Sequence, residues 1–207
     1  MSRFEVITDA GIALVAELGM RGLTHRAVDA RAGLPLGTTS AYFRTRKTLV
    51  EALVRRLADL DRVELARNRL PADETATLPP GQRLTAADLD RLAESVAAVL
   101  DEWLTTGRTR TLARYACLLE ATHHPELRTI LDHGRTYRAQ ARALLAAAGA
   151  ARPEQAGDHF VACVDGLLFD RLVGAGALTA PVPGTAESRA DLTTAVRSIL
   201  TALTAAT

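Results

Sequence analysis

Residues 22–49 constrain the fold of this chain more than any other segment, because they contain the start and stop signals of two short helices joined by a tight turn. Thr24 can cap the first helix, since its hydroxyl can accept an N–H that the first turn leaves unpaired. Gly33 can end that helix in the left-handed conformation. Pro35 can begin the second helix, where its missing N–H costs nothing. The pattern predicts a helix-turn-helix, a motif whose second helix normally enters the DNA major groove.

A third helix is predicted directly after Thr45, and it begins with two cations. With Thr45 as the N-cap, Arg46 and Lys47 occupy the first turn. Cations at this end of the helix dipole are unfavourable unless an anion binds there. A DNA phosphate is such an anion, and a solvated basic turn without a partner is the alternative.

The segment resembles the N-terminal domain of the TetR family of bacterial transcriptional repressors over roughly residues 4–57. At two positions the chain departs from the pattern: Ser40 stands where many family members carry an aromatic residue, and Ala41 follows where a second large residue is common. We therefore expect fewer aromatic contacts to the DNA backbone than is usual in the family. The matching residues are Gly22-Leu23-Thr24, Ala32-Gly33-Leu34, Gly37-Thr38, Tyr42-Phe43, Arg46 and Leu49.

The resemblance implies a helix-turn-helix DNA-binding domain over residues 1–48, and a ligand-binding and dimerisation domain over residues 49–207. Arg46 and Lys47 are expected to contact phosphate, and Arg26 is the best candidate for a paired hydrogen bond to guanine. The expected DNA-binding residues are Thr24, Arg26, Leu36, Gly37, Thr38, Ser40, Tyr42, Arg46 and Lys47.

Composition and charge agree with an all-α DNA-binding protein. Hydrophobic residues make up 48% of the 207 residues but aromatic residues only 4%, so the core must consist mainly of Leu, Ala and Val. Ala and Leu favour helices, and no sustained alternation of β-branched residues appears, so an all-α chain is predicted. The resemblance implies a layout of about nine helices. The net charge is only +1, yet residues 21–56 contain eight Lys or Arg side chains against two acidic ones. This local excess predicts a basic surface that faces one partner.

Neither the cysteines nor the hydropathy of the chain indicates a metal site, a cofactor or a membrane span. Cys117 and Cys163 have no metal-ligand spacing, and both are predicted to be small core residues in a reducing cytosol. Charged residues interrupt the N-terminus, so no signal peptide is expected, and no stretch approaches about 18 uncharged apolar residues. We expect a cytoplasmic protein without a cofactor.

The last predicted helix carries a narrow apolar stripe at helical spacing. Such a stripe is buried either in the core of its own chain or against a partner subunit. The resemblance implies the second alternative, because the last two helices of the family pair with their copies across a twofold axis as a four-helix bundle. The expected homodimer-interface residues are Leu192, Val196, Ile199 and Leu203.

The resemblance also implies a ligand pocket among the central helices, bordered by the later turns of the helix after Thr45, near Glu64. Each candidate has a simpler interpretation: Trp103 and Tyr115 as plain core, and His123 with His124 as the cap of a helix junction. A metal site formed by Glu120 and these two histidines is a further alternative. The expected ligand-binding residues are Leu60, Trp103, Tyr115, Leu119, His123, Tyr137, Asp165 and Phe169.

The leading functional hypothesis is a dimeric repressor that leaves a palindromic operator when an apolar or aromatic small molecule binds. A DNA-binding regulator without a small-molecule inducer is the second hypothesis. An all-helical enzyme that uses Glu120, His123 and His124 is the third. The enzyme hypothesis lacks a nucleophile motif, a phosphate loop and a metal signature, and it leaves residues 22–49 unexplained. No catalytic residue is therefore predicted.

Overall fold

The computed structural model describes residues 2–68, 70, 83–123 and 129–205, with only the backbone described for 129–134. These residues form ten α-helices and no strand, which confirms the all-α prediction. None of the described helices is both long and apolar enough to cross a membrane. The helices are α1 (Arg3–Gly22), α2 (His25–Ala32), α3 (Thr38–Tyr42), α4 (Arg46–Arg67), α5 (Ala86–Leu104), α6 (Arg108–Glu120), α7 (Thr129–Ala147), α8 (Pro153–Val173), α9 (Gly176–Thr179) and α10 (Ala186–Thr204).

The predicted caps around the helix-turn-helix are confirmed. The Thr24 hydroxyl accepts the Ala27 N–H at 3.1 Å, and Gly33 ends α2 with a φ of 63°. At the start of α4, the Thr45 hydroxyl accepts the Thr48 N–H at 3.1 Å. Each hydroxyl thus satisfies a first-turn amide that the helix itself cannot pair.

The start of the second short helix was predicted wrongly. Gly37 has a φ of 92°, a left-handed conformation that cannot continue a helix, so α3 begins at Thr38 rather than at Pro35. The recognition helix consequently has only five residues. Glycine and proline in residues 174–184 favour a loop, but the structure places the four-residue helix α9 within this segment. Pro125, a residue type that favours the first position of a helix, lies outside the described residues.

The chain divides into two compact units, the first formed by residues 1–61 with 107–133. In this unit α1 packs against both α2 and α6. Charged pairs also join its helices, since Arg56 on α4 donates to Asp9 on α1 at 2.9 and 3.1 Å. The boundary at residue 48 that the sequence predicts remains a prediction. Fully buried core residues of this unit include Ile7, Val15, Leu23, Val28, Leu49 and Leu53.

The second unit comprises residues 62–106 with 134–207, and α10 packs against α5 within it. A buried carboxylate on α5 joins these helices: Asp101 accepts the Gly184 N–H at 2.8 Å and the Ser188 hydroxyl at 3.1 Å. The apolar face of α10 is buried in the same unit, with Leu192 at 1% exposure and Val196 at 0%.

The burial of α10 changes the interpretation of its apolar stripe. Leu192 and Val196 have no exposed area left with which to contact a second copy, because their own chain already covers them. Ile199 and Leu203 are half-buried. For Leu192 and Val196 the core alternative is therefore the correct one, since a periodic stripe alone cannot distinguish an intramolecular neighbour from a partner subunit.

Candidate functional site

The helix-turn-helix presents most of its predicted DNA-binding residues to solvent. Leu36 is 77% exposed and Tyr42 is 53% exposed, although both are large and partly apolar. The other exposed members of the predicted set are Thr24, Arg26, Gly37, Ser40, Arg46 and Lys47, and Thr38 is half-buried. Exposed apolar and cationic groups on one short motif are suitable for contact with thymine methyls, guanine edges and phosphates.

Two polar side chains of α2 hold α3 in place, one at each end of this short recognition helix. At its C-terminal end, the His25 ring Nε2 lies 2.6 Å from the Phe43 carbonyl and donates to it in the Nε2-protonated tautomer. At its N-terminal end, the Asp29 carboxylate accepts the Gly37 N–H at 2.7 Å and the Thr39 N–H at 2.7 Å. The orientation of α3 is thus determined by groups on α2.

Asp29 is the residue that positions α3 on α2, and the sequence interpretation missed it. Its side chain is 2% exposed, and it also accepts the Thr39 hydroxyl at 2.6 Å. Burial raises the pKa of the Asp29 carboxyl, but the hydrogen bonds from Thr39 and Gly37 outweigh burial, so the pKa lies below the ordinary value of 3.8. The sequence contained one signal for this role, namely an acidic residue within a basic segment. If such a residue is buried, its carboxylate needs hydrogen-bond donors nearby.

The start of α4 offers cations, but the two predicted phosphate-binding side chains differ in their surroundings. The Arg46 guanidinium donates to the Met20 carbonyl at the end of α1. The Lys47 ammonium lies 3.9 Å from the Glu51 carboxylate in an exposed pair, which contributes little stability. Arg44, which was not among the predicted residues, is exposed just before the helix. A guanidinium has five N–H donors, so Arg46 keeps donors for a phosphate.

The two cysteines differ from each other, and one contradicts the prediction that both are core residues. Cys117 on α6 is buried, and burial raises the pKa of its thiol to about 12. Cys163 on α8 is exposed. A thiol with so high a pKa is almost never a thiolate, so Cys117 is a packing residue.

Two of the predicted ligand-binding residues meet in the second unit. Trp103 and Tyr137 pack against the buried side chains of Leu65 and Val99. The Trp103 indole N–H donates to the Glu64 carboxylate at 2.7 Å, and Glu64 is only 4% exposed. A buried carboxylate, an indole ring and a phenol ring therefore lie together with aliphatic side chains.

The remaining predicted ligand-binding residues are less enclosed than expected. Leu60 and Tyr115 are half-buried. Leu119 is 65% exposed and Phe169 is 43% exposed, so neither forms the enclosed apolar wall that a pocket needs. His123 and Asp165 are exposed as well.

The weak metal-site alternative gains no support from the described part of the chain. His124 lies outside the described residues. Among those residues, no group of three or more His, Cys, Asp or Glu side chains is arranged to hold a metal ion.

Helix α8 carries an exposed stripe of small and apolar residues. Ala162, Gly166, Phe169 and Val173 follow the same 4-3-4 spacing as the stripe on α10, but all four are exposed. Of the nine large hydrophobic side chains that are exposed in the described residues, four lie between residues 169 and 182. This concentration distinguishes the end of α8 and the following segment from scattered surface hydrophobics. We name Ala162, Gly166, Phe169 and Val173 the α8 stripe.

Comparison with known proteins identifies the class to which this fold and this motif belong. The family model described as tetracyclin repressor-like, C-terminal domain, matches residues 87–202, which is more than half of the chain. The chain therefore belongs to the TetR family of transcriptional regulators, which confirms the resemblance. The comparison with curated proteins found no match.

Solved structures agree with the family assignment. A TetR family member from Streptomyces coelicolor A3 is 29% identical, with 98% of each chain covered and a TM-score of 0.67. The multidrug binding protein EbrR, complexed with malachite green, is 26% identical, with 98% of each chain covered and a TM-score of 0.63. A transcriptional regulator from Rhodococcus sp. Rha1 is 23% identical over 100% of both chains, with a TM-score of 0.69, and shows similarity of fold alone.

We predict that Asp29→Asn lowers the free energy of unfolding near neutral pH by about 1–3 kcal/mol. The carboxylate accepts hydrogen bonds from two backbone N–H groups, and in the variant the amide NH₂ would face one of these donors. The folded pKa of Asp29 is depressed, so its contribution is fully present above 3.8 and is lost as pH falls through the folded pKa. Urea unfolding should be measured over a pH series. The difference in the free energy of unfolding between the parent and Asp29→Asn should become smaller as the pH is lowered. Glu187→Gln, an exposed carboxylate on α10, is the control; a difference independent of pH would contradict the prediction.

Proposed function

We propose that this TetR family chain is a ligand-responsive, homodimeric regulator that represses transcription from a palindromic operator and is released by a small molecule. The observation that carries the DNA-binding part is the exposure of Arg26 on α2, of Leu36 in the turn, and of Ser40 and Tyr42 on α3. Asp29 and His25 determine how these two helices are oriented relative to each other. A dimer reads two half-sites, so the twofold symmetry of the protein predicts a palindrome.

The proposed DNA contacts divide into two kinds. Arg46 and Lys47 contact phosphate at the start of α4, where first-turn amides add to their charge, and Thr24 and Tyr42 assist. Arg26 donates to a guanine edge, and Leu36 or Thr38 packs on a thymine methyl. Gly37 and Ser40 complete the set by allowing close approach, since neither has a bulky side chain.

The proposed dimer interface is centred on the α8 stripe rather than on Leu192 and Val196. The stripe includes Gly166 and Ala162, which let two helices approach closely, and Phe169 and Val173, which supply apolar area. The half-buried Ile199 and Leu203 on α10 retain some surface for the same contact. The proposed interface is therefore still formed by the last two long helices, α8 and α10. It uses the face with the α8 stripe instead of the face with Leu192 and Val196.

The proposed effector is an aromatic cation that binds beside Glu64, Trp103 and Tyr137. A carboxylate near aromatic rings attracts a cation by charge and by the ring quadrupole, while Leu65 and Val99 supply apolar contact. The related EbrR has been solved with malachite green, ethidium and proflavin, which are aromatic cations. Leu60 and Tyr115 belong to the first unit and are not part of this proposed site, and Leu119, His123, Asp165 and Phe169 are too exposed to form an enclosed wall.

The proposed release mechanism uses α4 as a lever, because this one helix contains both Arg46 and Glu64. An effector can abolish DNA binding only by binding more tightly to a conformer in which the two recognition helices no longer match successive major grooves. Contact at Glu64 would displace the helix that positions the phosphate-binding cations. A regulator without an inducer is the second candidate function, and it is favoured if no aromatic cation alters DNA binding.

We predict that Arg46→Ala and Lys47→Ala each weaken binding to all duplex sequences alike. Each loses one phosphate contact, so the slope of log affinity against log salt should fall by about one unit. Fluorescence anisotropy over a salt series measures it, with the exposed Arg152→Ala in the second unit as the control. A slope equal to that of the parent would remove the substituted residue from the phosphate contacts.

We predict that Val173→Glu converts the dimer into a folded monomer, because it places a charge on an apolar stripe that is exposed in the single chain. Sedimentation equilibrium reports the mass, and circular dichroism the fold. Val63→Glu is the matched control, since Val63 is also exposed, at 64%, but lies on α4. A Val173→Glu protein that stays dimeric would show that the α8 stripe is not the interface.

We predict that malachite green binds the protein and that Glu64→Gln weakens this binding by about tenfold, as expected for loss of one charged contact. Binding of the uncharged dye Nile red should not change, and Glu94→Gln, an exposed carboxylate on α5, should leave both dyes unaffected. Malachite green should also lower the DNA affinity of the parent protein but not that of Glu64→Gln. The variant serves as a control for dye that binds directly to DNA, because such dye would affect both proteins equally. Equal displacement of both proteins from DNA would contradict the proposed effector site.

A further inference from the structure

The N-terminus of the recognition helix is already occupied by a carboxylate of the protein itself. Gly37, the N-cap of α3, has no side chain to cap the helix. Asp29 on α2 takes that role, accepting the Gly37 and Thr39 amides at 2.7 Å each and the Thr39 hydroxyl at 2.6 Å. The Thr38 hydroxyl is also used internally, since it donates to the Pro35 carbonyl at 2.6 Å.

This occupation has an electrostatic consequence for DNA binding. First-turn amides of a helix ordinarily attract phosphate, but here two such amides donate to a carboxylate. The Asp29 carboxylate also places a negative charge behind the surface that Leu36, Gly37 and Ser40 present, and this charge repels the DNA backbone. The start of α3 is therefore unfavourable for phosphate, whereas the start of α4 carries Arg46 and Lys47.

We propose that Asp29 is a positioning residue for base recognition: its carboxylate withdraws the first amides of α3 from the DNA backbone and holds α3 so that its exposed side chains face base edges. Thr39, at 0% exposure, is the partner through which Asp29 acts. Asp29 thereby reduces sequence-independent affinity and increases discrimination between sequences. This inference rests on the proposed DNA-binding function.

The test compares operator DNA with mixed-sequence DNA. Operators are selected from a random duplex library with the parent protein, and affinities are then measured for the selected operator and for a mixed-sequence duplex. Asp29→Asn should lower operator affinity by about tenfold, the scale of one misplaced base contact. Its affinity for mixed-sequence DNA should stay equal or rise, because a repulsive charge is lost.

A purely structural role predicts a different result. If Asp29 only stabilised the fold, Asp29→Asn would lower both affinities by the same factor, through the folded fraction. Parallel losses would therefore overturn the inference while leaving the DNA-binding function intact. A parent protein that enriches no sequence would instead contradict the proposed function, and the inference with it.

Two further variants separate position from charge. Thr39→Val removes the hydroxyl donor but keeps the carboxylate, so operator affinity should fall and mixed-sequence affinity should not rise. This variant also decides the matter if Asp29→Asn does not fold, because an unchanged ratio of the two affinities would overturn the inference. Glu187→Gln, the control used for stability, removes an exposed carboxylate on α10 in the second unit. The inference is overturned if this control lowers the ratio as much as Asp29→Asn.

Discussion

A helix of five residues cannot keep its own orientation, because it closes too few internal hydrogen bonds to offset the entropy of ordering its backbone. The recognition helix α3 is of this kind, and its geometry depends on the buried Asp29 carboxylate, which pairs the Gly37 and Thr39 amides at its start. The His25 ring holds the Phe43 carbonyl at its other end. The exposed residues that we propose to contact DNA keep a defined arrangement because of these buried contacts.

The same division between buried polar contacts and exposed surface recurs in the second unit. Asp101 joins α5 to the start of α10 through Gly184 and Ser188, while Glu64 accepts the Trp103 indole. Each buried carboxylate accepts hydrogen bonds from neighbouring elements, and Asp101 also pairs with the Arg189 guanidinium at 3.4 Å, so each restrains the packing around it. The exposed α8 stripe is the opposite case, an apolar surface that the chain itself leaves uncovered.

Capping residues and glycines made the helix-turn-helix predictable, because their preferences act over three or four residues. Thr24, Gly33 and Thr45 behave as predicted for this reason. The prediction for Pro35 is wrong because proline is compatible with both a helix start and a turn. In the structure Gly37 has a left-handed conformation, so Pro35 lies in a turn. The sequence analysis includes Asp29 only as one of two acidic residues in a basic segment. Its structural role is not predictable from local patterns, because the amides that donate to its carboxylate lie eight and ten residues away.

Propensity, capping and periodicity are local properties, so the sequence was sufficient to predict the helical class, the position of the DNA-binding motif and the apolar stripe on the last helix. Whether a stripe is core or surface depends on tertiary packing. The stripes on α8 and α10 have the same 4-3-4 spacing, yet Val196 is fully buried and Val173 is 51% exposed. Spacing places side chains on one face of a helix, but the packing of other helices, such as α5 against α10, determines whether that face is covered.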